Sequence, residues 1–240
     1  MTVLAACAWR DNAELIAAVH DLGYLRDTDH VLDPTYGKGN WWKQWRPEQL
    51  TTYHRAADGS DFRHLDLADN SVDAVAYDPP YCCPGGRRTS TISDMHESFG
   101  MDEQERVGKR GEPDPMFRTP AALQAIIDAG LTEMVRVCRP ATTKTRGGII
   151  LVKCMSYVWG GTFWPGTELT WQHATSTLGL VTVDRLDIVK RAAGPQPKTN
   201  RNGSARRQSH AANNASRLWV FRVPKAPKPI PPSLDLDLDG

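Results

Sequence analysis

An apolar run from Val72 to Tyr77 stops at Asp78-Pro79-Pro80-Tyr81. Proline has no amide hydrogen to give to a sheet ladder, so a strand in this run must end there. A tandem-proline turn alone would be an ordinary loop opening. It does not account for a carboxylate just before the prolines and an aromatic ring just after them, both held at a strand's carboxyl end. A second strand-like run, Asp29 to Leu32, ends in a related way, at Asp33-Pro34-Thr35-Tyr36-Gly37-Lys38-Gly39. Glycines at Gly37 and Gly39 permit a tight turn and close approach of a ligand to the backbone. A purely structural turn is the alternative. The acid-proline-threonine prefix favours a site, because open α/β sheets bind ligands outside the carboxyl ends of their strands.

The rest of the chain supplies such a sheet. Residues 12–24 carry Leu15, Ile16, Val19 and Leu22 at helical spacing, with Asn12 as the cap. A short strand is expected from Leu50 to His54, and a helix is expected after the Gly37–Gly39 turn. Residues 120–138 place Leu123, Ile126, Ile127, Leu131, Met134, Val135 and Cys138 on one helical face, with Pro120 at the start, where proline fits. Residues 147–158 form an unbroken apolar run after two glycines, as in a central strand covered on both faces. A helix over 168–178 and strands over 180–190 and 217–223 complete an alternation of strands and helices. That alternation predicts an α/β fold with a mainly parallel sheet. Residues 1–223 read as one domain interrupted by two irregular segments, 82–119 and 191–216. Segments of that length without regular structure are usually functional or disordered. Residues 224–240 read as a flexible proline-rich and acidic tail.

Composition narrows the class without naming it. A net charge of +1 says nothing about partners, and a mean hydropathy of -0.48 describes a soluble globular chain. No apolar stretch approaches the roughly 20 residues that cross a bilayer, and the N-terminal residues lack the pattern of a signal peptide. The cysteines (Cys7, Cys82, Cys83, Cys138, Cys154) are odd in number and lack paired CxxC spacing, which suggests neither a disulfide framework nor a metal centre. A cytoplasmic protein without a metal is the expectation.

Charge is unevenly distributed. Lys190, Arg191, Lys198, Arg201, Arg206, Arg207 and Arg217 fall in a stretch with no Asp or Glu from Ile188 through Leu234. Such a stretch is either a solvated loop or a phosphate-binding one. Its position between two strands of one sheet favours the second, with Lys198, Arg201, Arg206 and Arg207 as the contacts. Trp41, Trp42 and Trp45 follow the glycine turn at a spacing that reads as a helix packing on the core rather than as base stacking.

Taken in order, the glycine motif and the Asp78-Pro79-Pro80-Tyr81 motif resemble the amino-group DNA methyltransferases that use S-adenosylmethionine. The likeness extends as a strand-and-helix pattern over residues 10–223. It implies a Rossmann-like class I methyltransferase fold, a mainly parallel seven-stranded sheet with helices on both faces. It implies that Asp33, Thr35, Gly37 and Gly39 surround the methionine end of S-adenosylmethionine. Asp58 stands where a ribose-binding acid is expected, although no acid lies directly at the preceding strand's end. Asp61 and Phe62 resemble a third motif that faces adenine, with a solvated acid and a core phenylalanine as the alternative. In the family, the motif Asp and the following proline's carbonyl accept the amine hydrogens of a flipped base, and the aromatic stacks on that base. By position these roles fall to Asp78, Pro79 and Tyr81, with Pro80 holding the turn. The resemblance implies DNA as partner and adenine N6 as the target. Cytosine N4, an RNA base amine, and a non-catalytic nucleic-acid-binding protein on this scaffold are the alternatives. A nucleophilic cysteine at Cys82 or Cys83 does not suit this motif.

Overall fold

The computed structural model describes residues 9–81, 107–108, 112–113, 119–189 and 215–225. Helix α1 (Asn12–Asp21) is followed by β1 (His30–Asp33), a single 3-10 turn (Asn40–Trp42), β2 (Gln49–Thr52) and the one-turn α2 (Arg55–Asp58). Strand β3 (Ala74–Tyr77) leads to a two-residue pairing of β4 (Val107–Gly108) with β5 (Glu112–Pro113). Helix α3 (Pro120–Val137) precedes β6 (Ile149–Cys154), the β7 (Tyr157–Trp159) and β8 (Thr162–Trp164) hairpin, and α4 (Gly166–Gln172), which runs on into a π-turn (His173–Thr177). Strands β9 (Val181–Val189) and β10 (Ala215–Arg222) close the fold.

One sheet carries the order β2-β1-β3-β6-β10-β9. Its first four strands are parallel; β10 runs antiparallel to both β6 and β9. This is the mainly parallel α/β architecture expected, with six strands in the sheet among the described residues where seven were anticipated. Strands β3 and β6 are buried along their whole length, which matches their unbroken apolar sequences. Alternation sorts their side chains into two cores. Val75, Tyr77, Ile150 and Val152 face α3 through Leu123, Ile127, Leu131 and Met134. Ala74, Ala76, Ile149 and Leu151 face α1 through Leu15, Ile16 and Val19, and this second core also holds Trp41 and Trp42.

Local chemistry sets the boundaries. Asp11, not Asn12, caps α1, its carboxylate accepting from the Glu14 amide at 2.9 Å. Thr119 caps α3 by accepting from Ala122, and Pro120 opens the helix where its missing N–H costs nothing. The helix expected after the glycine turn is only the 3-10 turn, because Trp41 and Trp42 turn inward to hydrogen-bond partners described below. The apolar run 147–158 is not one strand. It breaks after Cys154, and Tyr157 onward folds back around Gly160-Gly161, whose φ values of 57° and 86° suit a tight hairpin turn.

The chain leaves β1 for β2 on one side and returns to place β3 and β6 on the other. The carboxyl ends of β1 and β3 therefore flank the topological switch point, where open α/β sheets leave a crevice. Strand β9 runs parallel to β6, and Val189 at its end pairs with Ala215 at the start of β10. The basic stretch thus leaves and rejoins the sheet at the edge that carries Asp33 and Asp78. Lys198, Arg201, Arg206 and Arg207 themselves lie outside the described residues, as do Cys82, Cys83 and the tail from residue 226. Among the described residues no helix is long and apolar enough to cross a membrane.

Candidate active site at the carboxyl ends of the central strands

Strand β1 delivers Asp33, buried at 4% exposure, and β3 delivers Asp78 beside it. Each carboxylate is gripped by an indole. Trp42 Nε1 donates to Asp33 Oδ2 at 2.7 Å, and Trp41 Nε1 donates to Asp78 Oδ2 at 3.0 Å. Both tryptophans come from the 3-10 turn, so the glycine loop folds back over the ends of β1 and β3. Thr35 joins the two motifs. Its amide donates to Asp33 Oδ1 at 3.0 Å, its hydroxyl lies 3.5 Å from the same oxygen, and that hydroxyl accepts from the Asp78 amide at 2.9 Å.

The glycines are needed for different reasons. Gly37 and Gly39 have φ of 51° and 64°, the left-handed region that side chains disfavour. Gly39 also lies under the Tyr36 phenol, where an added Cβ would sit 2.6 Å from its oxygen. Pro79 and Pro80 are buried, and Tyr81 is half-buried behind them.

Lys153, on β6, reaches the same cluster. The residue is 5% exposed, and its ammonium lies 3.4 Å from Asp78 Oδ2, 3.3 Å from the Tyr81 hydroxyl and 5.2 Å from the centre of that ring. Burial pulls its pKa down, but Asp78 and Tyr81 together outweigh burial and leave it raised. Asp78 Oδ1 is buried and has no hydrogen-bond partner among the described residues. A buried acceptor without a donor is costly, so a donor supplied to it would be favourable.

Asp33 is pushed up to about 7, first by burial and further by nearby Asp78, against the bonds from Trp42 and Thr35. Its folded value lies above its unfolded one. Its contribution to stability is therefore fully present below about pH 4 and lost as pH rises through about 7. Relative to Asp33→Asn, the wild type should lose stability over that window by on the order of 4 kcal/mol as an upper bound. An asparagine sets its NH2 against one of the two N–H donors at every pH. The test is therefore the shape of the difference in urea-unfolding free energy against pH, and a flat difference would refute the assignment.

Three other residues singled out from the sequence have their described partners elsewhere. Asp58 is exposed and accepts from the His54 and Ser60 amides at 2.9 and 2.8 Å, closing the turn around α2. Asp61 pairs with Arg63, whose Nε donates at 2.9 Å. Phe62 stands edge-on to Tyr77 at 5.5 Å and lies over Gly130. Sequence reasoning missed the donor role of Trp41 and Trp42, and Lys153 altogether. A lysine inside the apolar run Ile149–Cys154 was the available signal for the latter. Among the described residues no cluster of His, Cys, Asp and Glu could hold a metal, and the buried thiols Cys138 and Cys154 are pushed up by burial.

No family model matches the sequence, and no curated protein matches it. Among solved structures, the chain is similar to a candidate DNA modification methylase from Thermus thermophilus at 13% identity and a TM-score of 0.39, over 69% of this chain and 52% of that one. It spans about half the length of that protein. It is similar to the candidate methyltransferase in complex with the Haloferax volcanii Trm112 methyltransferase activator, at 14% identity and a TM-score of 0.42, over 90% of this chain and 97% of the other. A SAM-dependent methyltransferase from Methanosarcina mazei gives 9% identity and a TM-score of 0.39, over 85% and 96%.

Proposed function

We propose that the chain is an S-adenosylmethionine-dependent methyltransferase acting on the exocyclic amine of a nucleic-acid base, with adenine N6 in DNA as the substrate. The observation that carries this reading is the state of Asp78. One of its oxygens is pinned by Trp41 and Lys153, while the other is buried and unmatched among the described residues at the carboxyl end of β3. An amine N–H is the donor that such an oxygen needs.

An aromatic amine is a poor nucleophile because its lone pair is delocalised into the ring. A hydrogen bond to Asp78 Oδ1 draws the nitrogen towards tetrahedral geometry and localises that pair. When bound, S-adenosylmethionine supplies an electrophilic methyl group. The nitrogen held by Asp78 Oδ1 would take that methyl group, and one amine proton would leave along the hydrogen bond to Asp78 Oδ1. Catalysis of this kind is positioning plus electrostatic stabilisation, with no covalent enzyme intermediate. Pro79 and Pro80 stiffen the turn, and Tyr81 offers a face on which a flipped base stacks.

The residues at β1 suit the methionine end of the cofactor. The left-handed Gly37 and Gly39 present backbone, and Asp33 is a buried acid that a neighbouring cation would relieve. In this reading Asp58, Asp61 and Phe62 lie further along the cofactor. Asp58 and Asp61 would have to share the bonds they already make. The basic stretch with Lys198, Arg201, Arg206 and Arg207 supplies phosphate contacts, since its anchors Val189 and Ala215 sit at the same sheet edge.

The test is methyl transfer from isotopically labelled S-adenosylmethionine to bulk DNA and bulk RNA, followed by mass spectrometry of the nucleosides. Labelled N6-methyldeoxyadenosine is the expected product. Label in deoxycytidine or only in RNA would replace the substrate. Cofactor binding by calorimetry without transfer to either polymer would leave a nucleic-acid-binding protein in place of the enzyme.

A further inference from the structure

We infer that Lys153 is a positioning residue of this site, clamping Asp78 Oδ2 and the Tyr81 hydroxyl together so that Asp78 Oδ1 and the Tyr81 ring address one bound amine. The inference rests on the reading of Asp78 just given. Strand register supports it: Tyr77 pairs with Val152, so Asp78 and Lys153 are the next neighbours at the ends of β3 and β6. Lys153 shares the sheet face of Ile149 and Leu151, an apolar core in which a lone ammonium would be very costly. Its contacts are with the two residues that bracket Pro79 and Pro80. A group that touches both ends of a rigid turn fixes the angle between them.

Stability is a weak reason to keep such a pair. At 3.4 Å the contact with Asp78 is long, and a buried ion pair replaced by a well-packed apolar group is often neutral or favourable for folding. Trp41 already donates to the same Asp78 oxygen, so the lysine is not needed to satisfy it. Lys153 adds the tie to Tyr81, which Trp41 does not make. Asp78 and Tyr81 are the groups that hold its charge against burial, and Asp33 lies beyond Asp78 on the neighbouring strand.

Two measurements on the full chain test this. In steady-state methylation, Lys153→Met should lower kcat by about 10–100-fold, the cost of a misaligned acceptor, with KM for S-adenosylmethionine unchanged. Lys153→Gln should behave alike if the methionine variant folds poorly, and Lys153→Arg, which keeps a donor to both partners, should recover part of the rate. Unchanged kcat in both neutral variants would overturn the inference. The second readout needs no activity. NMR of the Lys153 side chain should show it titrating above the ordinary lysine value, and Asp78→Asn should lower that value, because burial then acts without the counter-charge. No change on Asp78→Asn would also overturn it. The NMR shift in a chain that transfers no methyl would sink the proposed function and leave the clamp standing.

Discussion

Asp78→Ala is expected to lose methyl transfer by at least about 10²–10³-fold while binding S-adenosylmethionine nearly as well as the wild type. The substitution removes the buried acceptor proposed for the amine and strands the Lys153 ammonium and the Trp41 indole without their shared partner. The cofactor's proposed contacts, at Asp33, Thr35 and the glycine turn, keep their side chains. Asp78→Asn sharpens the experiment. Trp41 and Lys153 are both donors, so the amide oxygen must turn to them and its NH2 must face the substrate. A donor then meets a donor, and the variant should be nearly as slow as alanine despite its matched shape. Single-turnover rates with cofactor binding measured in parallel decide the matter. An active Asp78→Asn would show that the acceptor lies elsewhere.

The second large effect concerns stability. Gly147→Ala should cost more than about 4 kcal/mol, beyond the usual range for one substitution. The added Cβ would fall 1.9 Å from the Val223 carbonyl oxygen, and backbone cannot swing aside as a side chain can. The neighbourhood is tied on every side. Ala141 donates to that same Val223 oxygen at 3.3 Å, and Gly148 donates to the Arg139 carbonyl and accepts from the Val223 amide. Relief at one contact therefore breaks others, and the start of β6 would shift with them. Gly160→Ala is the control. Its site has nothing within 4 Å, so only its φ of +57° opposes a side chain, worth about 1 kcal/mol. Urea midpoints that fail to separate the two variants would mean that the close approach at β6 relaxes without cost.

The strand ends were legible because proline leaves a strand no choice. Asp33 and Asp78 each precede one, so both carboxylates could be placed at carboxyl edges from the sequence. Helix α3 was legible for its length and unbroken period. Direction was not legible. An indole after a glycine turn reads as bulk, and periodicity carries no information on where its N–H points. The hydrogen bonds of Trp41 and Trp42 were therefore invisible, and the turn that aims them reads as a helix. Lys153 was hidden for a related reason, since its partners come from β3, far away in sequence and adjacent only through sheet order. The overrun at β6 came from reading Tyr157 and Val158 as more strand, when Gly160-Gly161 was the signal for a separate hairpin.

The Thr35 hydroxyl, accepting from the Asp78 amide and lying against Asp33, makes the two halves of the crevice a single mechanical unit. A change at Asp33 that turned this hydroxyl would alter how the Asp78 turn is held. Ligands on either side would then report on each other. The factor by which one tightens the second must equal the factor by which the second tightens the first. On the proposed function, a methyl donor and a methyl acceptor would meet across this one hydroxyl and would need no moving domain to bind in concert.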